Sequence, residues 1–227
     1  MRAALAATCL LSAPSLCSGQ AFPTYPLSAQ DPAPVLERAS TAYQQITTLT
    51  ADFVQVVTNP MLGTPDTARG RLYLQRPSRF AMEFSVPRGD RVIADGNALW
   101  LYTPSTTPGQ VIKVPIPAEG TTGPNLIGQF VERPLERYEA TYLKEETLNG
   151  TTCDAVTLIP KAADAQFRRA VIWIDRERSL VRRILLTETS GQMREVRLSG
   201  LSVNAAVPAR RFRFSPPPGT RVVEQGR

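Results

Sequence analysis

Acidic pairs and one oddly placed arginine are the residues of this chain whose types and spacing could do chemistry. Two neighbouring carboxylates, as in Asp175 with Glu177 or Glu145 with Glu146, are what a hydrolase uses to divide general-acid and general-base work. Arg76 is a different case. On period-two alternation Leu72, Leu74 and Arg76 share one face of an extended stretch, so a guanidinium ends a row of leucines aimed at an apolar interior. A buried charge without partners is expensive, so either that face is open or Arg76 has partners placed for it.

Most catalytic constellations are ruled out by what is missing. The 227 residues contain no histidine, which removes the commonest general base, the commonest zinc ligand and every imidazole-based dyad or triad. The glycines form no phosphate-cradling loop, and there is no G-x-S-x-G elbow. Asp175-Arg176-Glu177-Arg178 falls where a hairpin turn belongs, and mixed charge there predicts a solvated turn rather than a site. Asn149-Gly150-Thr151 matches a glycosylation acceptor, but a hairpin turn explains it fully. The basic stretches "VRR" and "ARRFRF" alternate with apolar residues and hold few aromatics, so they predict half-exposed strands and no nucleic-acid groove. The formal charge of +6 is that of a well-solvated surface. The expectation is no catalytic residue, no metal and no cofactor.

The elements that must position Arg76 are legible in the periodicity. Residues 1–21, with Arg2, an apolar run to about Leu11 and small residues before Ala21, have the form of a cleaved secretory signal. Cys9 and Cys17 lie inside it, leaving Cys153 as the single mature thiol, unable to close an internal disulfide. A Pro-rich, flexible lead-in covers 22–33, and 34–227 is expected to be one domain. Val35, Leu36, Ala39, Tyr43, Ile46 and Leu49 follow at helical spacing, predicting an amphipathic helix over "VLERASTAYQQITTL".

From Thr50 the period becomes two. Six strand candidates run to about residue 116, an insert at 117–137 offers Leu126, Ile127 and Phe130 at helical spacing, and five more strands follow. The tail predicts a short extended piece and a proline stop. The fold class is therefore mainly β with a helical lid (α+β): about eleven antiparallel strands in one strongly curved sheet, with helices laid across its concave face. Phe53, Leu72, Leu74, Phe80, Met82, Phe84, Leu99, Trp100, Leu101, Tyr102, Val111 and Trp173 crowd those strands. They could simply fill a core. Arg76 favours a lidded cavity instead, because helix-end carbonyls are unsatisfied and carry the negative end of the helix dipole.

These residues resemble the LolA-type periplasmic carriers, which move lipoproteins from the inner to the outer membrane. The matching elements are "FVQ" at 53–55, "QRPSRF" at 75–80, "VIADGNALWLYTP" at 92–104, "QV" at 110–111, "NLI" at 125–127, "FRFSPPPG" at 212–219 and "VVEQ" at 222–225. The resemblance implies an eleven-stranded incomplete barrel in which Arg76 hydrogen-bonds lid backbone and gates it. It implies an acyl-binding cavity at Leu72, Leu74, Phe80, Met82, Phe84 and Leu101, under a lid carrying Leu126, Ile127 and Phe130. Met82 stands where that family's pattern calls for tryptophan.

The implied cargo is acylated lipoproteins. The implied partners are an ATP-driven lipoprotein-releasing complex in the inner membrane and, where one exists, an outer-membrane lipoprotein receptor. The protein is expected to be a monomer in the periplasm. Three rival expectations remain. An anchored receptor or lipid-sensing half-barrel predicts, for the receptor, acylation of Cys17. An envelope hydrolase predicts two acids in the cavity. A plain exported β protein predicts no exchangeable lipid.

Overall fold

The computed structural model describes residues 30–61, 63–116 and 127–225. The expected signal at 1–21, most of the lead-in and the lid residue Leu126 lie outside these. Helix α1 spans Ala33–Gln44 and is followed by β1 (Thr48–Thr58), β2 (Asp66–Gln75), β3 (Arg79–Val86), β4 (Arg91–Asp95), β5 (Ala98–Tyr102) and β6 (Gln110–Pro115). Two four-residue helices, α2 (Gly128–Val131) and α3 (Pro134–Arg137), precede β7 (Tyr138–Leu148), β8 (Thr151–Pro160), β9 (Phe167–Asp175), β10 (Val181–Glu188) and β11 (Met193–Val203). A 3-10 turn at Ala209–Phe212 leads to β12 (Arg221–Glu224). None of the described helices is long and apolar enough to cross a membrane.

The twelve strands of the described residues form one sheet in the order β12-β6-β5-β4-β3-β2-β1-β11-β10-β9-β8-β7. Its two ends, β12 and β7, are not paired with each other, so the sheet is unclosed. Curvature follows from who touches whom. Phe80 of β3 and Tyr138 of β7 belong to one buried cluster although seven strand steps separate them. On a flat sheet that would be roughly 34 Å, so the sheet must wrap around its inner face.

Each face carries its own apolar set. The inner face holds Phe53, Leu72, Leu74, Phe80, Met82, Val156 and Ile172, covered by Leu36, Ala39 and Tyr43 of α1 and by Phe130 and Val131 of α2. The outer face holds two smaller clusters: Tyr73, Ile93 and Trp100 beneath Phe212 and Phe214 of the tail, and Cys153, Val171 and Trp173. Trp100, Tyr102 and Trp173 therefore do not line the interior, because strand alternation turns them outward.

Four details differ from the sequence-based expectations, the first being that Ala209–Phe212, expected as part of an extended, half-exposed strand, forms a 3-10 turn. The helix ends at Gln44, and Ile46 and Leu49 continue its spacing only because both drop into the same core from the link and from β1. The twelfth strand lies in the tail and pairs parallel with β6, Arg221 beside Gln110. Four residues are too few for alternation to reveal it. Finally, Asp175 does not lie in a solvated turn: it is fully buried, bound by Arg182 and by the Arg178 amide.

Candidate functional site

Alternation along β2 sets Leu72 and Leu74 fully inside, and the next inward position, past the strand end, is Arg76. The β2–β3 turn thus puts a guanidinium at the rim of the apolar interior, beside the C-terminal end of α1. There its Nη1 donates to the Tyr43 carbonyl at 3.1 Å and the Gln44 carbonyl at 3.2 Å. Its Nη2 lies 3.6 Å from Glu132, in the link between α2 and α3, and its Cζ stands 4.9 Å from the Tyr43 ring centroid. A helix C-terminus exposes unsatisfied carbonyls and partial negative charge, which a planar cation satisfies well. One side chain at the rim therefore meets both the C-terminal end of α1 and the residue that follows α2.

The interior they cover is closed. Leu72, Leu74, Phe80 and Met82 are buried, and Phe84 packs edge-on against Phe53 with ring centroids 5.0 Å apart. Leu101, opposite Val92, shares their face and is half-buried. Ile127 and Phe130 enter the same cluster from above, and Phe130 meets Phe167 at 5.7 Å. A pocket of about 10 Å³ lies between α1, α2 and the sheet, lined among others by Ala39, Tyr43, Leu49, Ile127 and Val131. That is about room for one water. Of the residues expected to line a cavity, Leu72, Leu74, Phe80 and Met82 form one buried cluster with Ile127 and Phe130, with Phe84 packed against it, so between α1, α2 and the sheet an acyl chain could enter only if the helices moved.

A second polar group interrupts the inner face, and the sequence reading passed over it. Asp154 follows the inward alternation of β8 with Val156 and Leu158, yet it is a carboxylate and only 2% exposed. Its Oδ1 accepts from Arg176 Nε at 2.9 Å, Arg176 Nη2 at 2.7 Å and the Tyr142 hydroxyl at 3.0 Å. Its Oδ2 accepts from Arg38 Nη2 of α1 at 3.3 Å. Burial pushes its pKa up, but the hydrogen bonds from Arg176 and Tyr142 and the charges of Arg176 and Arg38 outweigh burial and hold it below the ordinary carboxylate range. A carboxylate so fully paired is a poor general acid or base. The sequence signal was there, an acid at an inward position among apolar ones, the same signal that singled out Arg76.

Three of the other acids weighed as catalytic pairs are bound to cations: Asp175 to Arg182, Glu145 to Arg176 and Glu146 to Lys144. Glu146 also accepts from the Trp173 indole at 2.8 Å on the outer face. Among the described residues no cluster of side chains has the makings of a metal site.

Residues 44–215 match the family model described as "Outer membrane lipoprotein carrier protein LolA". An outer-membrane lipoprotein carrier protein of Chromohalobacter salexigens is 27% identical over 202 residues, covering 88% of this chain and 92% of the relative. Another, from Chromobacterium violaceum, is 30% identical over 176 residues, covering 78% and 81%. Among solved structures, an uncharacterized conserved protein from Thermus thermophilus superposes with a TM-score of 0.55 at 14% identity, covering 86% of this chain and all of that one. That likeness concerns the fold alone.

Proposed function

The chain belongs to the LolA family of outer-membrane lipoprotein carrier proteins, and from that premise we propose that it is a periplasmic carrier of acylated lipoproteins. On this reading residues 1–21 are the export signal and 34–227 the carrier domain. The acyl chains of lipoproteins freed from the inner membrane displace α1 and α2 and lie against Leu72, Leu74, Phe80, Met82, Phe84 and Leu101. The observation that carries the reading is the closed apolar interior beneath helices fastened at the rim by Arg76.

Free-energy magnitudes support a protected hand-over. Each methylene left in water costs about 0.8 kcal/mol, so two or three chains of roughly 30–45 methylenes in all would cost about 25–35 kcal/mol to expose. Non-covalent binding saturates near 18–21 kcal/mol, so transfer through free water is closed. Loading then requires an energised donor, an ATP-driven releasing complex in the inner membrane. Unloading requires contact with an acceptor that binds the chains better.

Arg76 serves the unloading half. Chains that lift the helices separate the guanidinium from the Tyr43 and Gln44 carbonyls, and each lost charged hydrogen bond is worth about 1.5–3 kcal/mol. The loaded state is biased toward release by that amount. The test is to express the protein in a periplasm with a tagged lipoprotein, isolate it without detergent, and measure bound acylated lipoprotein. Stoichiometric cargo, with more retained on Arg76→Leu, is the expected result. An empty protein in both cases would refute the carrier reading, and cargo released equally fast from both would refute the role of Arg76.

A further inference from the structure

The β1–β2 hairpin projects at the end of the sheet opposite Arg76. Strand β3 ends at Val86, opposite Arg69, whereas β2 already begins at Asp66, opposite Val57. The hairpin therefore runs past the end of β3 by residues 66–68, roughly 10 Å, before its turn begins. The turn at 59–65 contains no charged residue. Asn59 shapes it, its side-chain oxygen accepting from the Met61 amide at 2.9 Å and its carbonyl from the Gly63 amide at 3.2 Å. Pro60 lies beside Gly191 of the β10–β11 turn. Beyond these contacts Met61 is 93% exposed.

A lone apolar side chain in water needs no explanation by itself, but the charges around this one point to a partner. Val86 at the end of β3 is 52% exposed, and Arg69, Arg88, Arg91 and Arg168 are exposed at the same end of the sheet. Arg168 is held there by donating to the Thr189 carbonyl of the β10–β11 turn at 2.7 Å. None of the four arginines belongs to an ion pair among the described residues. Of the described acids in the β1–β2, β3–β4 and β10–β11 turns, Glu188 is taken by Arg194 and Asp90 is buried against Ser105. Asp66 is left to offset four guanidinium charges.

We infer that this end of the sheet docks the protein on an anionic lipid surface, with Met61 entering the headgroup layer and the arginines facing lipid phosphates. A protein partner needs a contiguous, shape-matched patch, whereas apolar contact here is confined to a hairpin tip and one strand end set among charges. A fluid headgroup layer accepts such an arrangement, because binding there sums buried apolar area and attraction to anionic lipid without demanding shape complementarity. The inference deepens the carrier reading by naming the acceptor for unloading, and it rests on that reading only for its purpose. Arg76 stands at the other end of β2, so docking here leaves its contacts with α1 untouched.

The test is co-sedimentation of the lipid-free protein with phosphatidylcholine vesicles, with and without phosphatidylglycerol. Wild type, Met61→Ser and the double variant Arg88→Glu/Arg168→Glu are compared. Wild type should partition onto the phosphatidylglycerol vesicles, and less so as salt rises. Met61→Ser should lower that partition about fivefold, and the double charge reversal about tenfold or more. Both sites are exposed, so urea midpoints should match wild type and separate lost docking from lost folding. Equal partition of all three proteins would overturn the inference, as would no binding to either vesicle or equal binding to both. Vesicle binding by a protein that retains no lipoprotein in the periplasm would uphold docking and refute the carrier reading. Cargo carried by a protein that ignores vesicles would refute docking alone.

Discussion

Arg76 meets Tyr43 twice: its Nη1 donates to the Tyr43 carbonyl at 3.1 Å, and its guanidinium carbon stands 4.9 Å from the centre of the same residue's ring. Backbone and side chain of one helical residue are thus held by one planar cation. A lysine has a single compact ammonium and cannot reach two carbonyls, a ring face and Glu132 together. Arg76→Lys should therefore lie between wild type and Arg76→Leu, losing about 1–2 kcal/mol of the closed state's advantage. Rates of cargo transfer to an acceptor membrane measure this, and a lysine variant indistinguishable from wild type would contradict it.

Gly70 lies where β2 passes closest to its neighbours. A Cβ there would meet the Glu83 carbonyl oxygen and come within 2.8 Å of the Phe53 ring, which is itself locked against Phe84. Backbone and a packed ring cannot both retreat, so Gly70→Ala should destabilise by about 1–3 kcal/mol. Urea unfolding monitored by circular dichroism gives the number.

Leu74 fills the inner face just before Arg76 and is 1% exposed. With almost no free space under the helices, Leu74→Ala should cost about 2–5 kcal/mol in the lipid-free protein. The same substitution should cost acyl affinity much less, since a flexible chain can fill the gap. Parallel unfolding and lipopeptide-binding measurements separate the two effects.

Asp154 makes stability fall in acid. In the folded protein its pKa lies below the 3.8 of the free side chain, so its contribution is complete above that value and is lost as pH falls below it, through the folded pKa. Asp154→Asn should be less stable than wild type at neutral pH and lose less on acidification. Urea midpoints between pH 7 and pH 3 would show two curves converging toward the acid end; parallel curves would exclude the assignment.

Cys153 is buried on the outer face beside Trp173, and burial, helped by the negative charge of Asp175, pushes its thiol pKa up to about 11. At pH 8 Cys153 of the native protein should be nearly inert to a thiol-specific reagent, and it should react once urea unfolds the chain. Fast reaction of the native chain would mean that β8 opens far more readily than its packing allows.

Eleven of the twelve strands and the character of Arg76 were legible in the residues because both depend on local order. Alternation assigns Leu72, Leu74 and Arg76 to one face whatever the strand later pairs with, and a charge ending such a row already demands partners. The same rule could have flagged Asp154 but could not say that Arg38, 116 positions earlier, would meet it. Nor could it turn Trp100 and Trp173 outward, since alternation relates residues within a strand and says nothing of which face becomes the inside. That choice belongs to the wrapped sheet, which gathers β3 and β7 around one interior and buries the opposite face under the tail. The sequence by itself determined the helix, the strands, the apolar rows and the misplaced charge, all set by spacings of a few residues. Only the tertiary structure decided that α1 and α2 pack directly on the inner face, that Arg76 meets the carbonyls at the end of α1 while Arg38 from its middle meets Asp154, and that four residues of the tail extend the sheet. Those outcomes depend on long-range closure, in which burial of apolar surface outweighs what any local stretch prefers.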